Sequence, residues 1–343
     1  PGVKVMGMVK AFSYGSGSYE IANVLQFHQV DYLTVAYADE GVELRKAGIK
    51  LPIMVMNPED ESFDAIIKYQ LEPEIYSFRV LKMLEATLLR LSVNSHPVGI
   101  HLKIDTGMHR LGFDPVEVDE LINQLKDRSQ IRIKSVFSHL AASDSPANDD
   151  FTRHQVSLFR MISDRICSEF DYPILRHIAN TAAITRFPEA QFDMVRLGIG
   201  LYGIAPMPDE QEKLQNVSTL RSIISQIKHV PAEDTIGYNR RYKAKKDTVI
   251  AIVPIGYADG LSRALSNGIG HLKVRGKFAP IVGSICMDMT MIDITCINAH
   301  EGDEVIIFGK DLPITRLADE MGSIPYEILT GISQRVKRVY YQE

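Results

Sequence analysis

Short apolar runs and longer amphipathic stretches take turns along the first two hundred residues. Runs suited to strands occupy 3–10, 32–37, 51–56, 73–77, 98–104, 132–139, 174–179 and 194–199. Between them apolar positions recur at intervals of three and four, as in 79–92 and 151–169, the period of a helix with one buried face. Such alternation implies parallel strands joined by right-handed crossovers. Eight strand runs within about 200 residues favour closure into a (β/α)8 TIM barrel over an open doubly wound sheet, so the expected fold class is α/β.

The pattern changes after Tyr202–Pro206. Residues 207–216 are polar and Pro-bearing, as a linker should be. Beyond them short runs at 218–230, 247–253, 271–275, 280–284, 289–294 and 304–308 are separated by Gly, Pro and Asp turns, with one late helix at 315–321. The expected organisation is a barrel over 1–206, a linker over 207–216, and a mainly β C-terminal domain over 217–343.

Composition narrows the class. The 343 residues are 45% hydrophobic and 24% charged, the balance of a globular protein with a substantial core. A net charge of −5 with no basic block argues against nucleic-acid binding. No apolar run approaches membrane-spanning length and no signal peptide is visible, which predicts no membrane partner. Cys167, Cys286 and Cys296 lack metal-ligand spacing, so no metal and a cytoplasmic location are expected. The chain starts at Pro1 and Gly2 without an initiator Met, as though cut from something longer.

Polar residues interrupt the strands where a barrel would place its chemistry, at the C-terminal mouth. Lys10 ends the first strand. On its own it reads best as a solvated lysine at a strand end. Desolvated, it would have a depressed pKa and become a nucleophile fit for a Schiff base. Lys103, Asp105, His109 and Arg110 surround the end of the fifth strand, His139 ends the sixth, His177 and Asn180 the seventh, and Arg196 lies in the eighth. Buried cations need partners, and so many converging on one mouth predict an anionic ligand. The small residues among Arg196–Gly203 offer backbone N–H groups where barrels commonly hold phosphate. With Lys10 opposite, they suggest an aldehyde bearing a phosphate, namely pyridoxal 5'-phosphate.

Five segments make the suggestion specific: Val9–Gly15, Lys103–Gly112, Val195–Ile199, Gly256–Gly260 and Gly283–Met291. In this order the chain resembles the alanine racemases, pyridoxal-phosphate enzymes that interconvert L- and D-alanine and supply D-alanine for peptidoglycan. The resemblance implies a (β/α)8 barrel followed by a mainly β domain. It implies that Lys10 carries the cofactor and acts as one base. Tyr14, Asn180, Thr181, Gly198, Ile199 and Tyr326 would bind or flank the phosphate, with Thr181 standing where a serine is common. Arg110 would contact the cofactor's phenolic oxygen and the substrate carboxylate. Lys103 matches a lysine carbamylated in many relatives; the plainer reading is an ion pair with Asp105.

Arg196 matches an arginine that faces the pyridine nitrogen, where a fixed cation disfavours protonation and weakens the ring as an electron sink. Racemisation needs protons at both faces of a planar carbanion. Tyr238 resembles the family's second base, supported by His139 and Arg196 because a free phenol titrates near ~10. In the family the two bases meet only across a homodimer with shared active sites, so Tyr238, Tyr257, Met287 and Asp288 would serve a partner's site. Tyr257 and Tyr326 would line the entrance, and the Met287 backbone would help bind the substrate carboxylate.

Departures are Phe12, Ser13 and Ser16 after the lysine, and His109 beside Arg110. About 30 residues that usually precede the lysine strand and supply the β domain's first strand are absent. A start at Pro1 suits a cut from a fusion behind a cell-wall peptide ligase. The competing functions are a racemase of another small amino acid such as serine, a barrel-type pyridoxal-phosphate decarboxylase, and a non-catalytic pyridoxal-phosphate carrier. Carriers lack a β domain, and barrel decarboxylases place a carboxylate near the pyridine nitrogen, where Arg196 stands.

Overall fold

The eight apolar runs form eight parallel strands of one sheet: β1 (Lys4–Met8), β2 (Tyr32–Val35), β3 (Ile53–Val55), β4 (Glu72–Ile75), β5 (Val98–Lys103), β6 (Ile131–Phe137), β7 (Leu175–His177) and β8 (Met194–Leu197). They come from a computed structural model that describes residues 2–92 and 96–341; Pro1 and the last two residues of the chain lie outside it. The sheet order is β7-β6-β5-β4-β3-β2-β1-β8. Between its two ends Asp193 N–H donates to Arg176 O (3.1 Å) and Arg196 N–H to Ala179 O (3.0 Å). The sheet is a nearly closed barrel, as the alternation predicts.

Each of the first seven strands is followed by a helix, among them Phe78–Arg90 and Asp149–Cys167, close to the two amphipathic stretches read from the sequence. Their buried faces pack Leu81, Leu84, Phe159 and Ile162 onto Ile75, Ile100 and Val136 of the strands. That layer carries most of the hydrophobic driving force. The barrel interior differs. Met6, Tyr32, Met54, Phe137 and Met194 fill part of it. The buried polar side chains of Glu74, His101, Lys103, Ser135, His177 and Arg196 fill much of the rest.

The chain resolves into two compact units. The first holds the barrel and runs on to Leu214, including the short 3-10 helix Pro208–Lys213 in the polar stretch after the barrel. The second comprises Tyr14–Ser16, Tyr202–Ile204 and everything from Gln215. Its sheets are all antiparallel: β10-β13-β16, the hairpin β11-β12, and β15-β14-β17-β9. Here β9 is Leu220–Ile223, β10 Gln226–Val230, β11 Thr235–Ile236, β12 Tyr242–Lys243, β13 Thr248–Val253, β14 His271–Val274, β15 Lys277–Pro280, β16 Thr290–Asp293 and β17 Glu304–Phe308. The single run expected over 218–230 is two strands in different sheets, because Ile224 N–H pairs with Asp303 O and Ser225 N–H with Ile252 O. The late helix is Ile314–Met321, and a further helix, Pro325–Gly331, has no counterpart in the sequence reading. Among the described residues no helix is long and apolar enough to cross a membrane.

Candidate active site

Lys10 leaves the barrel where β1 ends. Val9 N–H donates to Thr34 O of β2 (3.0 Å) and holds the strand to its last residue. The next four residues, Ala11, Phe12, Ser13 and Tyr14, all have φ between 49° and 55°, a left-handed turn built without glycine. Each such residue costs roughly 1–2 kcal/mol, so the turn must be held from outside. Glu40 does part of this: Oε1 accepts the Ala11 N–H (2.6 Å) and Oε2 the Ala36 N–H (2.7 Å). Ser13 N–H bonds Val9 O (3.1 Å) and Gly17 N–H bonds Phe12 O (3.0 Å). Burial pushes the Lys10 amine below its ordinary range, the Arg110 and Lys103 charges push it further, and Glu40 and Glu74 oppose. A lysine so placed spends more time as a free amine than a surface lysine does.

Facing it inside the barrel, Lys103 of β5 donates to Glu74 Oε1 of β4 at 2.9 Å, with both side chains buried. The pairing of Lys103 with Asp105 expected from the sequence does not form. Asp105 Oδ1 instead accepts the backbone N–H groups of Gly107 (2.8 Å), Met108 (3.0 Å) and His109 (3.2 Å), fixing the loop that ends in Arg110. Asp105 sits past the strand's end, whereas Glu74 shares the interior layer with Lys103. Burial pushes the Glu74 carboxyl up against the pull of Lys103 and Arg196, and its Oε2 is buried with no hydrogen-bond partner.

Arg196 is the most heavily tied cation of the interior. Nη2 donates to Ser138 O (2.7 Å), Ile178 O (3.1 Å) and His139 Nδ1 (3.3 Å), and Nη1 to His177 Nδ1 (2.8 Å) and His177 O (3.3 Å). Burial lowers the guanidinium to about 10, which leaves it charged at neutral pH. Among the described residues its Nε donates to no protein acceptor, so one N–H is left for a ligand. His139 is held well below the ordinary imidazole range, first by burial and then by Arg196, Arg110, Lys103 and Lys10. Its ring is neutral, and because Nδ1 faces an arginine donor, its hydrogen sits on Nε2.

At the ends of β7 and β8, Asn180 caps the helix Thr181–Arg186: its Oδ1 accepts the Ala183 N–H (3.1 Å) and the Ser143 hydroxyl (2.8 Å). Thr181 Oγ1 accepts the Gly198 N–H (3.0 Å), so the hydroxyl hydrogen remains free to donate. A Cβ on Gly200 would meet Thr181 Cγ2 at 2.9 Å. Lys10, Lys103, Arg110, His139, Asn180, Thr181, Arg196, Gly198 and Ile199 thus all belong to the strand ends and following turns at one mouth of the barrel. The donor set of a charged Arg196, a depressed Lys10 and a free Thr181 hydroxyl fits a phosphorylated aldehyde.

The remaining expected residues belong to the second unit. Tyr14 stacks on Tyr202 (ring centroids 4.7 Å apart, 20° between planes) and leans on Tyr326 (5.6 Å). Burial, with Tyr326 beside it, raises the Tyr14 phenol. Gly15 has φ 77°, and a Cβ there would lie 2.1 Å from Leu329 O. Tyr257 and Ala258 N–H groups donate to Cys286 O and Met287 O, both at 3.0 Å, leaving the Tyr257 and Met287 side chains exposed. Arg335 bridges Asp288 (2.6 Å) and Asp259 (2.8 Å). Tyr238, in the turn of the β11–β12 hairpin, is 72% exposed.

Sequence reading missed Glu40 and Glu74. Glu74 had a signal: Glu72 and Glu74 are two apart in β4, as are His101 and Lys103 in β5, and β4 pairs with β5. Period-2 acids beside period-2 bases in neighbouring strands predict ion pairs on one face.

The alanine racemase N-terminal domain family matches residues 1–206, and the alanine racemase C-terminal domain family matches 217–340. An alanine racemase of Sorangium cellulosum is 39% identical over 98% of this chain and 91% of its own length. The structure of an alanine racemase from D-cycloserine-producing Streptomyces lavendulae superposes with a TM-score of 0.93 at 32% identity, covering 100% of this chain and 92% of that one. An alanine racemase from Bartonella henselae with covalently bound pyridoxal phosphate superposes at 0.89 with 27% identity, covering 99% and 93%.

Proposed function

The chain belongs to the alanine racemase family, and on that footing we propose that Lys10 and Tyr238 are the two bases by which it interconverts L- and D-alanine. It is a pyridoxal-phosphate-dependent isomerase. When bound, the cofactor supplies an electron-withdrawing ring that acidifies the α-proton of an amino acid joined to its aldehyde carbon.

The observation that carries the residue assignment is the Lys10 amine at the barrel mouth, depressed by burial and by the charges of Arg110 and Lys103. Its lone pair would make it the nucleophile that holds the aldehyde, and the free amine would serve as a base at one face of the substrate. Arg196, whose Nη1 and Nη2 are taken by protein acceptors, would hold the ring nitrogen of the cofactor through its Nε–H. Held by carbonyls and two imidazoles and still charged at neutral pH, the guanidinium is too weak an acid to protonate that nitrogen, so the ring would draw off less charge. Side reactions that need a strong electron sink are suppressed. Thr181, Asn180, Gly198 and Ile199, with Tyr14 and Tyr326, are assigned to the phosphate, and Arg110 to the substrate carboxylate.

Tyr238 Oη is assigned to the opposite face. A phenol needs help to lose its proton near neutrality, and the Nε2–H of neutral His139, backed by Arg196, is a suitable donor to a phenolate. Tyr238 is exposed in the second unit, which suits a residue that completes the site of another copy. On this reading the working form is a homodimer, with Tyr257, Met287 and Asp288 also serving the partner's site.

Incubating the protein with pyridoxal phosphate and L-alanine in deuterated water tests the reaction. D-alanine carrying deuterium at Cα is expected. Release of carbon dioxide without that exchange overturns the reading in favour of decarboxylation.

A further inference from the structure

The barrel interior holds a second set of buried polar side chains, deeper than the mouth. His177 Nδ1 lies 2.8 Å from Arg196 Nη1, and His177 Nε2 lies 2.8 Å from Ser135 Oγ. Ser135 Oγ is 2.7 Å from His101 Nδ1, and His101 Nε2 is 2.9 Å from Glu72 Oε2. Ser135, His101 and His177 are fully buried and Arg196 nearly so. The five side chains come from β4, β5, β6, β7 and β8.

An arginine can only donate, so every hydrogen along this line is determined. His177 Nδ1 must accept from Arg196, which puts the ring hydrogen on Nε2, pointing at Ser135. Ser135 accepts it and donates its own hydrogen to His101 Nδ1. His101 then carries its hydrogen on Nε2 and donates to the Glu72 carboxylate. A protonated His101 would also point a hydrogen at Ser135. The serine hydroxyl would then have no acceptor at a site without water access, which is costly. A protonated His177 would set two donors against each other. Burial, and next the Arg196 charge, hold His177 well below the ordinary imidazole range. Burial alone would raise Glu72, but His101, Lys134 and the Tyr32 hydroxyl hold its carboxyl below the usual range, so the line ends on an anion. Phe137 lies flat on the His177 ring (centroids 5.0 Å apart, 3° between planes) and blocks its rotation.

We propose that Glu72, His101, Ser135 and His177 form one directed hydrogen-bond chain across the barrel that orients the Arg196 guanidinium, with Ser135 and His101 as positioning residues for the reaction. Each link polarises the next, so the anion at one end strengthens the acceptor that Arg196 meets at the other. The catalytic half of this statement rests on the function proposed above; the hydrogen pattern does not.

The test separates the two. Imidazole nitrogen shifts of ring-labelled protein, assigned by subtraction with His101→Asn and His177→Asn, report the tautomers without any turnover. Both rings are expected to carry their hydrogen on Nε2 and to accept at Nδ1. An Nδ1–H form or an imidazolium at either position overturns the chain, whether or not the protein racemises alanine. Ser135→Ala cuts the chain while only shortening a side chain. It is expected to shift both ring signals and to lower kcat about five-fold, the rate equivalent of one neutral hydrogen bond, with KM unchanged. Ser135→Thr, which keeps the hydroxyl, is expected to restore both the ring signals and kcat. Unchanged ring signals in Ser135→Ala refute the link, and unchanged kcat with shifted signals refutes the positioning role.

Discussion

Lys103 Nζ donates to Glu74 Oε1 at 2.9 Å inside the barrel, where both side chains are buried. Removing one member leaves the other charge unpaired. Glu74→Ala is therefore expected to destabilise by about 3–5 kcal/mol. Lys103→Met should be milder, because burial already pushes the Glu74 carboxyl towards its neutral form. The double variant Glu74→Leu with Lys103→Met is expected to be clearly better than the sum of the two, as read by denaturant unfolding. Additive effects would mean that the pair is not coupled. A lysine Nζ tied to Glu74 is also not free to attack carbon dioxide. Lys103 is expected to give no carbamate carbon signal in labelled bicarbonate, and such a signal would contradict the pairing as the resting state.

Lys10 gives the spectroscopic prediction. Its amine is lowered from the ordinary 10.5, so reaction with an aldehyde should set in at lower pH than for a surface lysine. Adding pyridoxal phosphate to the wild-type chain is expected to produce the visible absorbance of a Schiff base. Lys10→Ala should lack that band. The same spectrum from both proteins would remove Lys10 from its assigned role.

Much of this arrangement is legible in the sequence. The eight barrel strands were found to within a few residues, because a strand covered on both faces reads as an apolar run. The mouth was legible for a related reason: Lys10, Lys103, His139 and Arg196 are polar residues at the ends of runs that otherwise exclude them. Sequence could not give the left-handed turn at Ala11–Tyr14. Nothing in those side chains favours positive φ, and Glu40, which takes the Ala11 N–H, lies 29 residues away. It also misjudged Asp105, since sequence nearness to Lys103 says nothing about which carboxylate shares its interior layer. In the second unit, strands of a few residues with half-exposed faces carry a weak periodic signal. Hence 218–230 was read as one strand and the β11–β12 hairpin was missed.

The buried imidazoles set the acid limb of stability. His139 and His177 are both held well below 6.5 in the folded chain, so below 6.5 the unfolded state binds protons that the folded state refuses. Stability should therefore fall as pH drops through 6.5, with a slope of up to about 1.4 kcal/mol per pH unit for each ring. Above 6.5 both states are neutral at these residues and the contribution is flat. Denaturant midpoints measured from neutral to mildly acidic pH check this. A decline confined to the ordinary carboxylate range would show that these rings are not held neutral.

Tyr238 separates stability from chemistry. Its side chain is 72% exposed, so Tyr238→Phe is expected to leave unfolding free energy within about 0.5 kcal/mol of wild type. If Tyr238 is the base on one face only, the loss of its hydroxyl should cripple Cα proton exchange from L-alanine more than from D-alanine. Exchange rates followed separately for each isomer in deuterated water give the answer. Equal losses for both isomers would argue against a two-base division.

The last prediction asks whether the two bases belong to different copies. Lys10→Ala and Tyr238→Phe should each be nearly inactive alone. If each site combines Lys10 of one chain with Tyr238 of another, a mixed dimer of the two variants holds one site with both native residues and one with neither. Random reassortment places about half of all dimers in the mixed class, and half of the sites in those are intact. Activity of an equal mixture, unfolded and refolded together, should therefore return to about a quarter of wild type. If Lys10 and Tyr238 of the same chain formed the site, no reassortment could restore it, and the mixture would stay as inactive as its components. Recovery should also depend on protein concentration, since it requires association, and fall away on dilution below the dimer's dissociation constant.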